Sequence, residues 1–140
     1  IIEFARRIMQ SEEKERAQLD TPEKVYEFMK CRILGLEVEK FWILCLDRKN
    51  RLLEEIEVSS GTASESLVHP REVFREAIRL SASAVIAVHN HPSGDPEPSE
   101  ADNRITHRLR DALSLVDIRT LDHVVVASEG CVSLAERGYL

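Results

Sequence analysis

Cysteine is scarce in this chain and poorly placed for structural work. Only Cys31, Cys45 and Cys131 occur among its 140 residues. An odd count with no Cys-x-x-Cys pair supports neither a disulfide framework nor a thiolate zinc site. Basic charge is also in deficit: 19 Lys and Arg stand against 25 Asp and Glu, a net charge of −6 with an isoelectric point near 5.4. A generic nucleic-acid binder would normally show a basic face, so that class is disfavoured. Arg71, Arg75 and Arg79 do share one helical stripe, but Glu72 and Glu76 interleave with them, the pattern of a solvated face of i,i+3 and i,i+4 pairs. Nothing reads as a membrane span or a signal peptide, and a reducing cytoplasm is the expected compartment. Repeats and low-complexity tracts are absent. So is an initiating methionine: the chain opens on Ile1 and is expected to be a piece of a longer protein.

What is present is an ordinary mixture, 43% hydrophobic and 31% charged, long enough for a single buried core. Ile1, Ile2, Phe4, Ala5, Ile8 and Met9 recur at helical spacing before the charged stretch 11–16. Residues 1–20 are therefore expected to be an N-terminal helix, the tail of an upstream segment or a helix packed on a partner copy, with the domain proper at 21–140. Thr21-Pro22-Glu23 is a helix start, and Val25, Phe28, Met29 and Ile33 mark the inward face before Gly35 stops it. Phe41 to Leu46 reads as a strand buried on both faces; Asp47 to Asn50 turns the chain into a second strand around Leu52 to Val58. Pro70 opens a helix with Val73, Phe74, Ala77 and Ile78 inward. Ala84 to His89 is another buried strand, a helix follows from Ser99 to about Leu113, and Leu121 to Ala127 with Cys131 to Leu134 form a hairpin around Glu129-Gly130. About five strands and three helices make an α/β fold, a mixed β-sheet sandwiched by helices.

The densest chemistry lies in His89-Asn90-His91-Pro92-Ser93-Gly94-Asp95-Pro96-Glu97-Pro98-Ser99-Glu100-Ala101-Asp102. Side chains at i and i+2 of an extended chain point the same way, so His89 and His91 can present two imidazoles to one point. Asp102 is a hard oxygen ligand that the proline-rich turn can fold back to meet them. Two histidines and a carboxylate leave a fourth tetrahedral position for water, the arrangement of a catalytic rather than a structural zinc. The intervening loop should be stiff, since Pro92, Pro96 and Pro98 fix φ while Gly94 permits a φ that other residues resist. Ser99-x-x-Asp102 is at the same time a helix-start signal, a Ser cap with an acid at the third position. The two readings are compatible: a fixed helix start holds Asp102 where a metal could be.

This segment matches His-x-His-x7-Ser-x2-Asp and resembles the JAMM, or MPN-plus, zinc metalloprotease superfamily; His-Asn-His-Pro-Ser-Gly followed by Pro-Ser-x-x-Asp is similar to its RadC-like (UPF0758) branch. The likeness extends over Glu39–Asp47, Ser60–Ile78, Leu121–Ala127 and Ser133–Leu140, nearly the whole chain after Thr21. The resemblance implies a single JAMM/MPN-like domain, one zinc ion held by His89, His91 and Asp102, Ser99 as a hydroxyl on the oxyanion side, and an upstream Glu as general base. By that resemblance the base is Glu39, ahead of Lys40-Phe41-Trp42, with Glu37 two positions away as its competitor. The implied activity is hydrolysis of peptide or isopeptide bonds in a peptide or protein substrate; a homodimer is compatible with it. RadC-like proteins usually carry a helix-hairpin-helix-type segment upstream, and any DNA contact is expected there.

Competing classes lose ground on specific residues. A catalytically silent interaction module of this family would typically have lost a histidine or the aspartate, and this chain keeps all three. A zinc nucleobase deaminase expects His-x-Glu and Pro-Cys-x-x-Cys, neither of which occurs. A structure-specific nuclease fits poorly with the acidic balance. The remaining candidates read as structural: His69 before Pro70 as a helix cap or a residue bordering the cleft, His107 off the face of Asp102, His123 as a hydrogen-bonded core histidine, Asp95 as a turn residue.

Overall fold

Strand β1 (Lys40–Leu46) is buried along almost its whole length, which is possible only if both of its faces are covered. In the computed structural model, which describes residue 2 and residues 16–60 and 68–140, they are. Strands β2 (Leu52–Ser60), β3 (Ala84–Asn90), β4 (Arg119–Ala127) and β5 (Gly130–Ser133) join β1 in one sheet of order β2-β1-β3-β4-β5. β3 and β4 are parallel and the other neighbours antiparallel, so the sheet is mixed. Helices α1 (Pro22–Ile33), α2 (Pro70–Arg79) and α3 (Glu100–Ser114) complete the architecture.

The period-2 alternation of each strand sorts its side chains into two cores. Phe41, Ile43, Cys45, Val85 and Ala87 pack against Val73 and Ala77 of α2 and Ile105, Leu109 and Leu113 of α3. Trp42, Leu44, Leu46, Ile86 and Val88 pack against Val25, Met29 and Ile33 of α1. The edge strand β2 is charged, and Glu54, Glu55 and Glu57 pair with Arg79, Arg32 and Lys40 across the surface, a composition that discourages edge-to-edge association. Asp47 shapes the β1–β2 turn by accepting from the backbone N–H of Lys49 and of Arg51 at 2.8 and 2.9 Å.

Two local expectations are revised, and one falls mostly outside the described residues. Ile78 is not inward but 49% exposed, because α2 meets the sheet along the narrow Val73–Ala77 stripe and Ile78 lies on its flank. The helix expected over residues 1–20 lies outside the described residues except for residues 2 and 16–20. Of these, 16–20 are extended: Gln18 bridges Arg51, the Leu52 N–H donates to Ala17 O at 2.8 Å, and Leu19 is buried. The third, β4, begins at Arg119 rather than Leu121. Among the described residues no helix is long and apolar enough to cross a membrane.

Candidate metal centre

The parallel pair β3–β4 is linked through α3, so the end of β3 and the start of α3 lie at one end of the sheet, where open α/β sheets commonly place their ligands. His89 follows Val85 and Ala87 in alternation and therefore emerges on the α2/α3 face; its ring lies 5.8 Å from that of Phe41, its register partner on β1. His91 follows on the same side, its N–H tied to Val126 O of β4 at 2.9 Å. The two imidazoles meet edge to face, 4.8 Å between centroids.

Asp102 is the buried hub between them. Its Oδ1 accepts from His89 Nδ1 at 2.9 Å, while Oδ2 lies 3.3 Å from His91 Nε2 and accepts the Ser99 N–H at 2.8 Å. Burial opposes its charge, yet the hydrogen bonds from His89, His91 and Ser99 hold the carboxyl far below the ordinary carboxylate range. An ionised carboxylate only accepts, so His89 donates to it from Nδ1 and leaves Nε2 as the ring's second nitrogen. That Nε2 is buried without a hydrogen-bond partner and lies 3.6 Å from Oε2 of Glu39. His91 Nδ1 donates to the carbonyl of Asp95 at 3.1 Å, which again turns Nε2 inward. Each ring is thus held through Nδ1 by a neighbour, the usual way a protein fixes a ligating histidine. The hydrogen bond to Asp102 raises the pKa of His91 against the opposing effect of burial, with Asp95 and Glu39 adding to the rise.

Glu39, His89 and His91 offer ligand atoms that all lie within 4.8 Å of one another, so this cluster could hold a metal ion. Glu39 is half-buried just ahead of β1, whereas Glu37 is exposed and borders a cleft with Asn90, His91 and Pro92. Ser99 caps α3: its Oγ accepts the Asp102 N–H at 3.1 Å, reciprocating the Ser99 N–H bond to Asp102. This leaves the Ser99 hydroxyl proton uncommitted by the cap. The loop from Pro92 to Pro98 is pinned at several points. Gly94, at φ +93°, backs onto the β4–β5 turn so closely that a Cβ there would stand 3.0 Å from Ser128 Oγ. Arg137 grips both carboxylate oxygens of Glu97 at 2.9 and 3.0 Å.

The structural readings of Asp95, His107 and His123 hold, whereas His69, at the α2 N-cap, does not cap through its side chain. Asp95 Oδ1 accepts the Glu97 N–H within the loop, and His107 bonds to the Tyr139 carbonyl. His123 is fully buried and pushed down to about 3 by desolvation, with the charges of His89 and His91 adding to the shift. Its Nδ1 lies 2.5 Å from Thr106 Oγ1, which in turn donates to the Asp102 carbonyl at 2.7 Å. Thr106, Arg137 and the side chain of Asn90 escape a reading of the sequence; each works through a contact remote in the chain, and only the apolar face position of Thr106 on α3 hinted at burial.

Residues 19–139 match the family described as the RadC-like JAB domain. A UPF0758 protein of Vibrio cholerae serotype O1 is 57% identical over 118 residues, 84% of this chain and 74% of that relative. A UPF0758 protein of Pseudoalteromonas translucida is 44% identical over all 140 residues, and one of Symbiobacterium thermophilum is 50% identical over 125. The chain spans 62% of the former and 53% of the latter, so these relatives extend well beyond it.

Proposed function

Since this chain belongs to the family of RadC-like JAB domains, we propose that its histidine pair serves a zinc-dependent hydrolase of peptide or isopeptide bonds. The observation that carries the reading is the convergence of Glu39, His89 and His91, with Asp102 against both rings. The donor set fits the ion. His89 Nε2 is buried without a hydrogen-bond partner, an expensive arrangement that a metal ion would relieve. Two imidazoles and a carboxylate are borderline ligands suited to zinc.

His89, His91 and Asp102 would hold the ion, and Glu39 would be the base. Bound zinc would supply a water of lowered pKa and polarise the scissile carbonyl. Glu39, which comes from the segment just ahead of β1 rather than from α3, would take a proton and return it to the leaving amine. Ser99 can direct its hydroxyl proton to an oxyanion while its oxygen continues to cap α3. His91 shares its Nε2 proton with Asp102, so a cation competes with that proton and affinity should fall as pH falls.

Zinc titration of purified protein, combined with turnover of peptide and isopeptide libraries with and without chelator, tests the assignment. His91→Ala and Asp102→Asn should lose stoichiometric zinc. Glu39→Gln should keep zinc and its fold and lose at least about a hundredfold in turnover, with Glu37→Gln close to the parent. A parent chain that takes up no zinc would overturn the proposal. Loss of zinc in Glu39→Gln would make Glu39 a ligand and remove it as the base.

A further inference from the structure

The backbone pairing of β1 with β3 ends at Phe41–His89, whereas β3 continues along β4 to Asn90–Val126. The next backbone groups of the incoming chain are met by a side chain. Asn90 Oδ1 accepts the Lys40 N–H at 2.6 Å, and Asn90 Nδ2 donates to the Val38 carbonyl at 2.9 Å. These are the peptide groups on either side of Glu39. One carboxamide therefore binds the C=O of residue 38 and the N–H of residue 40, as the N–H and C=O of a single residue on a neighbouring parallel strand would. Asn90 is 2% exposed, so the side-chain end of each bond is buried and its loss would leave a costly gap. From between these two bonds, the Glu39 carboxylate reaches 3.6 Å from His89 Nε2.

We infer that Asn90 is the positioning residue of Glu39: its carboxamide clamps the backbone on both sides of that residue and so fixes the carboxylate against the histidine pair. The inference rests on the role given to Glu39 above and deepens it. Asn90 touches neither imidazole through these bonds and needs no charge. Asparagine suits the position because it offers one donor and one acceptor in a plane on a short stem. Aspartate would keep the acceptor and lose the donor, alanine would lose both, and either would let the residues before β1 drift. A displacement of about 1 Å at a reacting group can cost a hundredfold in rate.

Two readouts test this in the intact chain. Amide hydrogen exchange on metal-free protein reports the clamp: Lys40 protection should be lost in Asn90→Ala and largely kept in Asn90→Asp. Turnover by the zinc-loaded enzyme reports its purpose: Asn90→Ala should lower kcat about a hundredfold at unchanged zinc affinity, and should add nothing in a Glu39→Gln background. Asn90→Asp should recover part of the rate. Unchanged Lys40 exchange in Asn90→Ala would overturn the inference, as would additive effects of the two substitutions or a rate loss matched by zinc loss. Parental activity of Glu39→Gln would instead sink the base assignment, leaving the exchange measurement to decide the clamp.

Discussion

His123 sits fully buried behind the site, and its burial has a consequence that can be measured without any substrate. Desolvation pushes it down to about 3, while in an unfolded chain it titrates near 6.5. Between those values the unfolded state binds the extra proton, so stability rises with pH and is lost as pH falls below about 6.5, by up to about 1.4 kcal/mol per pH unit. His91 works with the opposite sign. Its raised pKa contributes stability that is present below about 6.5 and lost as pH rises through its folded value, so the two windows do not overlap. Urea unfolding of the chelator-treated domain should therefore show a falling midpoint from about pH 6.5 to pH 4.5, and His123→Phe should flatten that limb. Parallel limbs for parent and variant would show that His123 does not set the acid sensitivity.

At the scale of elements, the site depends on how the loop between β3 and α3 is held. Gly94 lies in the left-handed region with Ser128 against the position a Cβ would take, and the Glu129 N–H donates to its carbonyl at 3.3 Å. Gly94→Ala should cost about 1–2 kcal/mol from backbone conformation, with more from the approach to Ser128. Because the same loop carries the Asp95 carbonyl that orients His91, zinc affinity should fall about tenfold as well, the low end for a disturbed outer shell. Calorimetric melting and zinc titration of Gly94→Ala would check both; unchanged zinc affinity would make the loop a mere connector. Arg137→Ala is the companion variant: its exposed pair with Glu97 is solvent-screened, so the melting temperature should stay close to the parent's. The loop's chemistry was legible in Pro92, Gly94, Pro96 and Pro98, and the α3 cap in Ser99-x-x-Asp102, because φ preference and capping are local. The Glu97–Arg137 grip was not, since it joins residues forty apart. The same holds for Asn90, whose partners Val38 and Lys40 come from another element, and for Thr106, which hands the core histidine's hydrogen bond on to Asp102.

For the molecule as a whole, the question is whether the metal centre is a folding element or a guest. Both cores close without it: Trp42, Leu44 and Val88 are sealed by α1, and Ile43, Val85 and Ala87 by α2 and α3. Alternation along strands made these two faces readable from sequence, and full burial of β1 and β3 follows from helices on both sides. The histidine pair lies at the end of β3, at the rim of the first core, and Asp102 is held by its capping box whether or not a cation is present. The chelator-treated domain should therefore remain folded and unfold cooperatively, unlike a zinc finger, whose folding requires its metal. Zinc should add only the linkage term, about 2.7 kcal/mol at a free concentration one hundred times Kd, or roughly 5–10 °C in Tm for a domain of this size. The shift should vanish in His89→Ala, read against that variant's own metal-free form because the imidazole it removes is buried. Circular dichroism and scanning calorimetry with and without chelator decide the matter. An unfolded metal-free domain would make the site structural, and a zinc-induced rise that survives in His89→Ala would mean the ion binds elsewhere.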